Sequence, residues 1–247
     1  MRSTLSFHAE RLEDDAVWGR VRRVLDAVAS RGGRATLFVE PLSARLRGFD
    51  LARRLEQAAA DGHEIAMHTH FYRLIGPPGA TEGFAKGGRP SDADTTRCLD
   101  EGWAYLDRCG FRPRGFVAGA WAIAPGAFEW LARHDFSYDC SFRAFPLGYE
   151  NPAARAGDDA STPSRIGGLL ELPTSGSAAT ALTGSVIPWV DVRQVGGPTP
   201  YRHVYLHDYD LLRSRWWVGL SAYVRMPATG GLITALELAD EVAAAMR

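Results

Sequence analysis

The stretch that decides the fold of this chain is Gly62-His63-Glu64-Ile65-Ala66-Met67-His68-Thr69-His70. It runs from a glycine turn through β-prone residues and ends on two histidines separated by one residue. His8-Ala9-Glu10 repeats this spacing at the end of the first apolar run, residues 3–7. Because residues i and i+2 of a strand point to the same face, each pair aims two metal-competent side chains at one point. The pattern is typical of a metal-dependent enzyme.

Outward from this stretch, strand and helix candidates alternate along the chain. Apolar residues at helical spacing predict helices over 14–30, 51–60, 92–108, 125–134 and 233–246. Short β-prone runs predict strands over 3–7, 35–39, 63–67, 115–118, 137–139, 169–172 and 204–207. This number of βα units favours an α/β fold of the closed or nearly closed (β/α) barrel type. We expect one domain over residues 1–247.

Composition excludes several classes of function. The chain has 247 residues, 46% of them hydrophobic, and a formal net charge of -1 without a basic tract. Nucleic acid and anionic membranes are therefore not expected as partners. No stretch approaches the ~20 apolar residues of a membrane span, and the N-terminus lacks the apolar core of an export signal, so a soluble, cytoplasmic protein is expected. The three cysteines have neither disulfide-framework nor zinc-knuckle spacing.

Two irregular segments interrupt the alternation. Residues 76–90 and 151–168 are rich in glycine, proline and polar residues, which predicts loops. Loops on the catalytic face of a barrel shape its specificity. We expect both segments to contribute to substrate selection.

Polar side chains collect where the predicted strands end. The residues at these positions are His8, Glu10, His68, His70, Asp139 and His207. In barrels of parallel strands the chemistry lies at the carboxyl ends of the strands. The sequence therefore predicts that these side chains share one site.

The series 5–10, 34–39 and 62–69, in this order and spacing, resembles the first half of the polysaccharide deacetylases, the NodB-homology domain of carbohydrate esterase family four. The stretches 112–115 and 205–208 resemble the later arginine–proline and leucine–histidine motifs of that family. The resemblance covers most of the chain. It implies a distorted (β/α) barrel and a metal-dependent hydrolase that removes an acetyl group from a sugar.

The metal motif departs from the family pattern at two places. The family's two aspartates, its general base and one metal ligand, align with His8 and Ala9, and Glu10 is the nearest replacement ligand. The family's second metal histidine would fall on Tyr72, whereas here His70 lies only two residues after the first. The sequence thus predicts a divergent branch in which Glu10, His68 and His70 hold the ion. We expect Zn²⁺, with Co²⁺, Ni²⁺ or Fe²⁺ as alternatives.

A mechanism follows from this inventory. An ion with three protein ligands activates a water molecule and polarises an acyl carbonyl. His207 is the acid expected to protonate the leaving group, and Asp208 or Asp210 is expected to orient it. Asp208 is therefore predicted to be a catalytic residue. His8 is either the base or a fourth ligand.

Substrate contacts are expected from Arg114, Trp121 and Asp139. Arg114 could clamp a carboxylate, Trp121 could stack on a sugar, and Asp139 could hold hydroxyl groups. Trp189, Trp216 and Trp217 are weaker candidates for stacking, because tryptophans are more often core residues.

Three functions remain open on the sequence. The first is deacetylation of an N-acetylated sugar or of a sugar-containing intermediate, so the expected partner is a small molecule or a glycan. The second is hydrolysis of a glycosidic bond or of a non-sugar amide by the same metal site. The third is a metal-free carbohydrate-binding pseudoenzyme. The sequence does not determine the sugar, the acyl group or the oligomeric state.

Overall fold

A computed structural model describes residues 2–71, 91–143, 162–177, 201–213 and 231–247. The described strands are β1 Arg2–Ala9, β2 Thr36–Val39, β3 Glu64–Thr69, β4 Gly115–Ala118, β5 Tyr138–Asp139, β6 Ser164–Ile166, β7 Leu169–Glu171, β8 Gly176–Ser177 and β9 Tyr201–His207. The described α-helices are α1 Asp15–Ala29, α2 Pro41–Leu46, α3 Ala52–Ala60, α4 Asp92–Arg108, α5 Pro125–Arg133 and α6 Ala235–Ala245. Two 3₁₀ helices, Gly119–Trp121 and Asp208–Leu212, follow β4 and β9.

The nine strands form one sheet in the order β6-β7-β5-β4-β3-β2-β1-β9-β8. All neighbouring pairs are parallel except β6 and β7. The parallel pairs place the carboxyl ends of the strands along one rim of the sheet. This arrangement confirms the predicted distorted (β/α) barrel.

Four of the six described α-helices begin at a residue whose side chain caps the first turn. Asp14 accepts hydrogen bonds from the backbone N–H groups of Ala16 and Val17 and starts α1, whose valines at helical spacing are buried. Glu40 caps α2 in the same way, with Pro41 in the first turn. Helix α2 was not predicted from the sequence, although Pro41 is a signal for a helix start.

Two buried apolar clusters lie on opposite faces of the sheet. The outer cluster contains Leu5, Phe7 and Ala9 of β1 and the buried face of α1. The inner cluster contains Phe38, Ala66, Val117 and Tyr138, together with α6. Since strand residues alternate between faces, Ser6 and His8 share the inner face.

Helix α6 is anchored at the amino ends of two strands, opposite the rim. Its first backbone N–H groups donate to Thr36 Oγ1, at the start of β2, and to Glu64 Oε2, at the start of β3. A capping box between Thr234 and Glu237 begins this helix. Helix α6 therefore covers the inner face at the amino ends of the strands. Polar side chains occupy the same face at the carboxyl ends of the strands.

The predicted loop 151–168 is wrong in its described part. Ser164–Ile166 forms strand β6, which pairs with β7 through a two-residue turn at Gly167 and Gly168. Both glycines have positive φ, 57° and 91°, as a tight hairpin turn requires. The paired glycines were the sequence signal for this hairpin. The predicted loop 76–90 lies outside the described residues.

No described helix combines the length and the apolar character that a membrane crossing requires.

Candidate metal centre

Five of the six predicted strand-end residues, all except Asp139, meet at the carboxyl rim of the sheet. His8 of β1 is the register neighbour of His207 in β9, and His68 is the neighbour of Val117 in β4. Glu10 and His70 come directly after their strands. Parallel pairing brings these ends together although the residues lie up to two hundred positions apart in the chain.

Three ligand atoms converge in this cluster. Glu10 Oε1 lies 2.9 Å from His70 Nε2 and 3.6 Å from His68 Nε2. The two Nε2 atoms are 3.0 Å apart. All three side chains are buried, and among the described residues they form the set able to hold a metal ion.

The donor set fits a tetrahedral divalent ion. Ligand atoms around zinc with bonds of ~2.0–2.1 Å lie about 3.3 Å from one another, and the observed separations of 2.9–3.6 Å bracket this distance. His68 Nδ1 lies 2.9 Å from the carbonyl oxygen of Val117, so this nitrogen donates a hydrogen bond and Nε2 is the atom that would bind an ion. One carboxylate and two imidazoles are also the ligand types that such ions take.

The electrostatics of the cluster favour an ionised carboxylate. Burial alone would raise the pKa of Glu10, but hydrogen bonds and charge attraction from His68 and His70 lower it well below its ordinary value. This environment favours the ionised carboxylate, which is the form that binds a metal ion.

His8 is packed among rings beside the cluster. Its ring centroid lies 4.7 Å from that of His68, 4.7 Å from Tyr205 and 5.6 Å from Trp121. Burial, followed by the neighbouring His68 and His207, lowers the pKa of His8 well below its usual value. Burial and the neighbouring histidines thus favour the neutral form of His8.

His207 occupies the more open side of the site. Its side chain is 27% exposed, and Nε2 lies 3.7 Å from Glu10 Oε1. Nδ1 lies 3.4 Å from Asp210 Oδ2, and the ring stacks on Tyr209. Burial alone would lower the pKa of His207, but the bond to Asp210 and the charge of Glu10 raise it.

Asp208 does not have the expected catalytic position. Its Oδ2 accepts a hydrogen bond of 2.7 Å from the backbone N–H of Arg11, and its Oδ1 accepts one of 2.8 Å from the backbone N–H of Tyr209. Burial raises the pKa of Asp208 to about 7. The carboxyl group therefore ties the end of β9 to the segment after β1, and Asp210 is the residue that contacts His207.

Arg114 lies at the wrong end of its strand for a site residue. It precedes β4, whereas His68 and its neighbours lie at the carboxyl ends of the strands. The exposed guanidinium donates to the carbonyl oxygen of Asp135 and to Ser137 Oγ. The expectation that Arg114 binds substrate is therefore corrected, because the group belongs to the opposite rim.

Asp139 lies at the correct end of its strand but on the other face of the sheet. Its register neighbour in β4 is Phe116, a member of the outer cluster. Its Oδ1 accepts a hydrogen bond of 2.6 Å from Ser141, and its partner in β7 is Glu171. Burial raises the pKa of Asp139 to about 6 against the effect of these bonds. Asp139 therefore faces away from the three ligand atoms, contrary to expectation.

Trp121 lies beside the site, but its indole is only 3% exposed. It packs against His8 and Tyr205 and so forms a wall of the site rather than an open stacking surface. Tyr72, Trp189, Trp216 and Trp217 lie outside the described residues.

Two further residues at the site, Tyr205 beside His8 and Gly119 beside His70, were not predicted from the sequence. Tyr205 lies two positions before His207 in β9, so the strand period that united His8 and Glu10 could have identified it. Gly119, which follows β4, lies against the ring of His70. Sequence offers no signal for Gly119, because the contact joins two distant segments.

Comparisons with known proteins find likeness in structure. No protein-family model and no curated protein sequence matches the chain. A protein from Mycobacterium smegmatis assigned to the polysaccharide deacetylases superposes with a TM-score of 0.63 at 16% identity, covering 99% of this chain and 91% of that chain. The peptidoglycan deacetylase PdaC from Bacillus subtilis superposes with a TM-score of 0.56 at 13% identity, covering 99% and 94%.

A third match is the protein BA3943 from Bacillus anthracis, a pseudoenzyme of carbohydrate esterase family four. It superposes with a TM-score of 0.56 at 12% identity, covering 97% of this chain and 66% of that chain. The resemblance predicted from the motifs is thus confirmed for the fold. The fold carries both enzymes and a protein without activity.

Proposed function

We propose that this protein is a metal-dependent hydrolase that removes an acetyl group from an N-acetylated sugar or a sugar-containing intermediate. The observation that carries the proposal is the convergence of Glu10 Oε1 with the Nε2 atoms of His68 and His70. The convergence lies at the rim where barrels of parallel strands place their chemistry. Structural likeness to a peptidoglycan deacetylase supports the choice of substrate class.

Glu10, His68 and His70 would hold the ion. A divalent ion in such a set supplies Lewis-acid activation of a water molecule and of the acyl carbonyl. The protein contributes the fixed geometry, since the bond from His68 to Val117 sets the ring that faces the site. Burial of all three ligands keeps competing water away.

His8 and His207 are assigned different proton-transfer roles. His8 is enclosed by rings on the inner side and accepts the proton of the attacking water. His207, on the open side, gives a proton to the departing nitrogen and is held for this by Asp210. The carbon–nitrogen bond breaks, the water oxygen enters the carboxyl product, and acetate and a free amine leave.

The test is metal content and acetate release from the same preparations. Untagged protein purified without chelator should contain about one equivalent of Zn²⁺ or a related ion. A double variant, His68→Ala with His70→Ala, should lose both the ion and acetate release from N-acetylglucosamine oligomers. His134→Gln is the matched control, because His134 contacts Trp103 and Trp130 outside the cluster and should leave both unchanged.

Other results would redirect the proposal. Failure to take up any divalent ion after reconstitution would refute it. Metal uptake without acetate release would leave the glycosidic or non-sugar amide alternatives. Binding of sugar without metal would favour the pseudoenzyme alternative, for which the fold already has the example from Bacillus anthracis.

A further inference from the structure

The turn after β4 has an uncommon backbone. Ala120 and Trp121, in the 3₁₀ helix Gly119–Trp121, have φ values of 53° and 55°. Two consecutive residues with side chains in the left-handed region cost free energy, and such backbone strain is concentrated at functional sites. This turn lies against the candidate metal centre through its first and last residues.

Gly119 leaves room for one of the proposed metal ligands. A Cβ at this position would lie 2.2 Å from His70 Nδ1, 2.4 Å from Cγ and 2.7 Å from Cε1. These distances are far inside van der Waals contact, so no larger residue fits while His70 keeps its place. Gly119 is not among the glycines with positive φ. Position 119 therefore needs glycine because there is no space for a side chain, and not because of its backbone conformation.

The space beside Gly119 accounts for the short spacing of the histidines. His70 lies past the end of β3, and its ring turns back so that Nε2 comes within 3.0 Å of His68 Nε2. The ring can take this position only because the neighbouring turn presents a bare Cα. At the other end of the turn, Trp121 packs on His8.

We propose that Gly119 is a positioning residue, which makes the two-residue spacing of His68 and His70 usable as a metal site. The strained turn holds Gly119 against the ring of His70. A side chain at position 119 displaces the ring and removes one of the three ligand atoms from the cluster. The proposal rests on the proposed function for the identity of the ligands, but its steric part concerns the protein alone.

The first experiment uses metal-free protein, so that it does not depend on the proposed function. Long-range ¹H–¹⁵N spectra of the imidazole rings report the environment and tautomer of each histidine. Gly119→Ala should shift the ring resonances of His70 and leave those of His134 in place. Gly19→Ala is the matched control, since a Cβ there would meet nothing within 4 Å and should preserve the parent His70 signal.

The second experiment adds the metal. We expect Zn²⁺ affinity to fall about 10- to 100-fold in Gly119→Ala, the range found when residues that orient metal ligands are changed. The visible spectrum of the Co²⁺-loaded variant should differ from that of the parent, because the coordination changes. Gly19→Ala, whose added Cβ meets no other atom within 4 Å, should keep the parent affinity.

Each outcome decides the proposal. Parent-like His70 resonances, or parent-like Zn²⁺ affinity and Co²⁺ spectrum in Gly119→Ala, would overturn it. If Gly119→Ala fails to fold, the double variant Gly119→Ala with His70→Ala should fold, and its failure would show that the clash is not with this ring. A parent that binds no metal would refute the proposed function, while the ring resonances would still test the steric role of Gly119.

Discussion

The hydrogen bond between His68 Nδ1 and the carbonyl oxygen of Val117 decides which nitrogen of that ring faces Glu10 and His70. Because Nδ1 donates to this carbonyl, Nε2 is the nitrogen that points into the cluster. A backbone carbonyl acts here as the orienting partner that metal-bound histidines usually have. At the scale of single residues, the chemistry of the site thus depends on groups that are not themselves ligands.

The two aspartates after His207 should behave differently when changed. Asp210→Asn should lower kcat for acetate release by about 10- to 100-fold, because His207 loses the carboxylate that holds it for proton transfer. The metal content should stay unchanged. Asp208→Ala should instead lower the free energy of unfolding by about 1–3 kcal/mol, because two backbone N–H groups lose their acceptor.

Steady-state kinetics and denaturant unfolding of both variants separate these roles. A catalytic loss in Asp208→Ala that exceeds its loss of folded protein would restore the originally expected role of Asp208. Unchanged kcat in Asp210→Asn would remove Asp210 as a positioning residue.

His203 should make stability depend on pH. It is buried, its Nε2 hydrogen-bonds to Ser6 Oγ at 2.8 Å, and burial lowers its pKa from 6.5 to about 4. Between these values the unfolded chain binds a proton that the folded protein does not, so the free energy of unfolding falls as the pH is lowered. In His203→Phe this component is absent, and the loss of stability from pH 7 to pH 4.5 should be smaller by about 2–3 kcal/mol.

Urea unfolding of the parent and His203→Phe over this pH range provides the measurement. Curves that run parallel would show that His203 does not carry this part of the pH dependence. A difference in stability between the two proteins that changes only above pH 7 would contradict the expected direction of the pH dependence.

At the scale of elements, replacing glycine by alanine should have opposite effects on stability in a helix and in the barrel wall. Gly19 lies on the exposed side of α1, and a Cβ there would meet nothing within 4 Å. Gly115 begins β4, and a Cβ there would lie 2.0 Å from Cζ of Tyr138. The same substitution should therefore stabilise the protein at one position and destabilise it at the other.

Gly19→Ala should raise the free energy of unfolding by up to about 1 kcal/mol, because alanine favours the helix and restricts the unfolded chain. Gly115→Ala should lower it by about 1–3 kcal/mol or more through overpacking. Thermal and denaturant unfolding of the two variants would measure both effects. Destabilisation by Gly19→Ala, or tolerance of Gly115→Ala, would contradict the packing described for these elements.

The predicted boundaries of helices and strands agree with the structure where the local sequence signals are strong. The helix predicted over 92–108 agrees with α4 at both ends, since Ser91 caps its start. The strand predicted over 115–118 agrees with β4. Strand β8 was not predicted, because a two-residue strand is defined by its pairing with β9 and not by its own sequence.

At the scale of the whole molecule, the candidate metal centre takes its ligands from the ends of β1 and β3, two strands that β2 separates in the sheet. Strand β1 pairs with β2 on one side and with β9 on the other. Glu10 therefore meets His68 and His70 only when the sheet is assembled. An ion that binds the folded protein alone should stabilise the whole sheet.

Zn²⁺ should therefore raise the melting temperature of metal-free protein. At a free concentration 100 times Kd the stabilisation is about 2.7 kcal/mol, which corresponds to roughly 5–10 °C for a chain of this size. The double variant with His68→Ala and His70→Ala should show no such increase. Scanning calorimetry with matched chelator controls measures the shift, and an equal increase in the double variant would place the ion elsewhere.

The sequence by itself determined the alternation of strands and helices and the chemical inventory of the site. Both depend on local properties: hydrophobic period, caps, and the i, i+2 spacing that unites His8 with Glu10 and His68 with His70. Only the tertiary structure decided which strand-end residues face one another. Arg114 lies at the opposite rim, Asp139 faces the outer cluster, and Asp208 binds backbone N–H groups. Strand direction, register and sheet face are set by pairing between distant segments, so residue type and spacing do not reveal them.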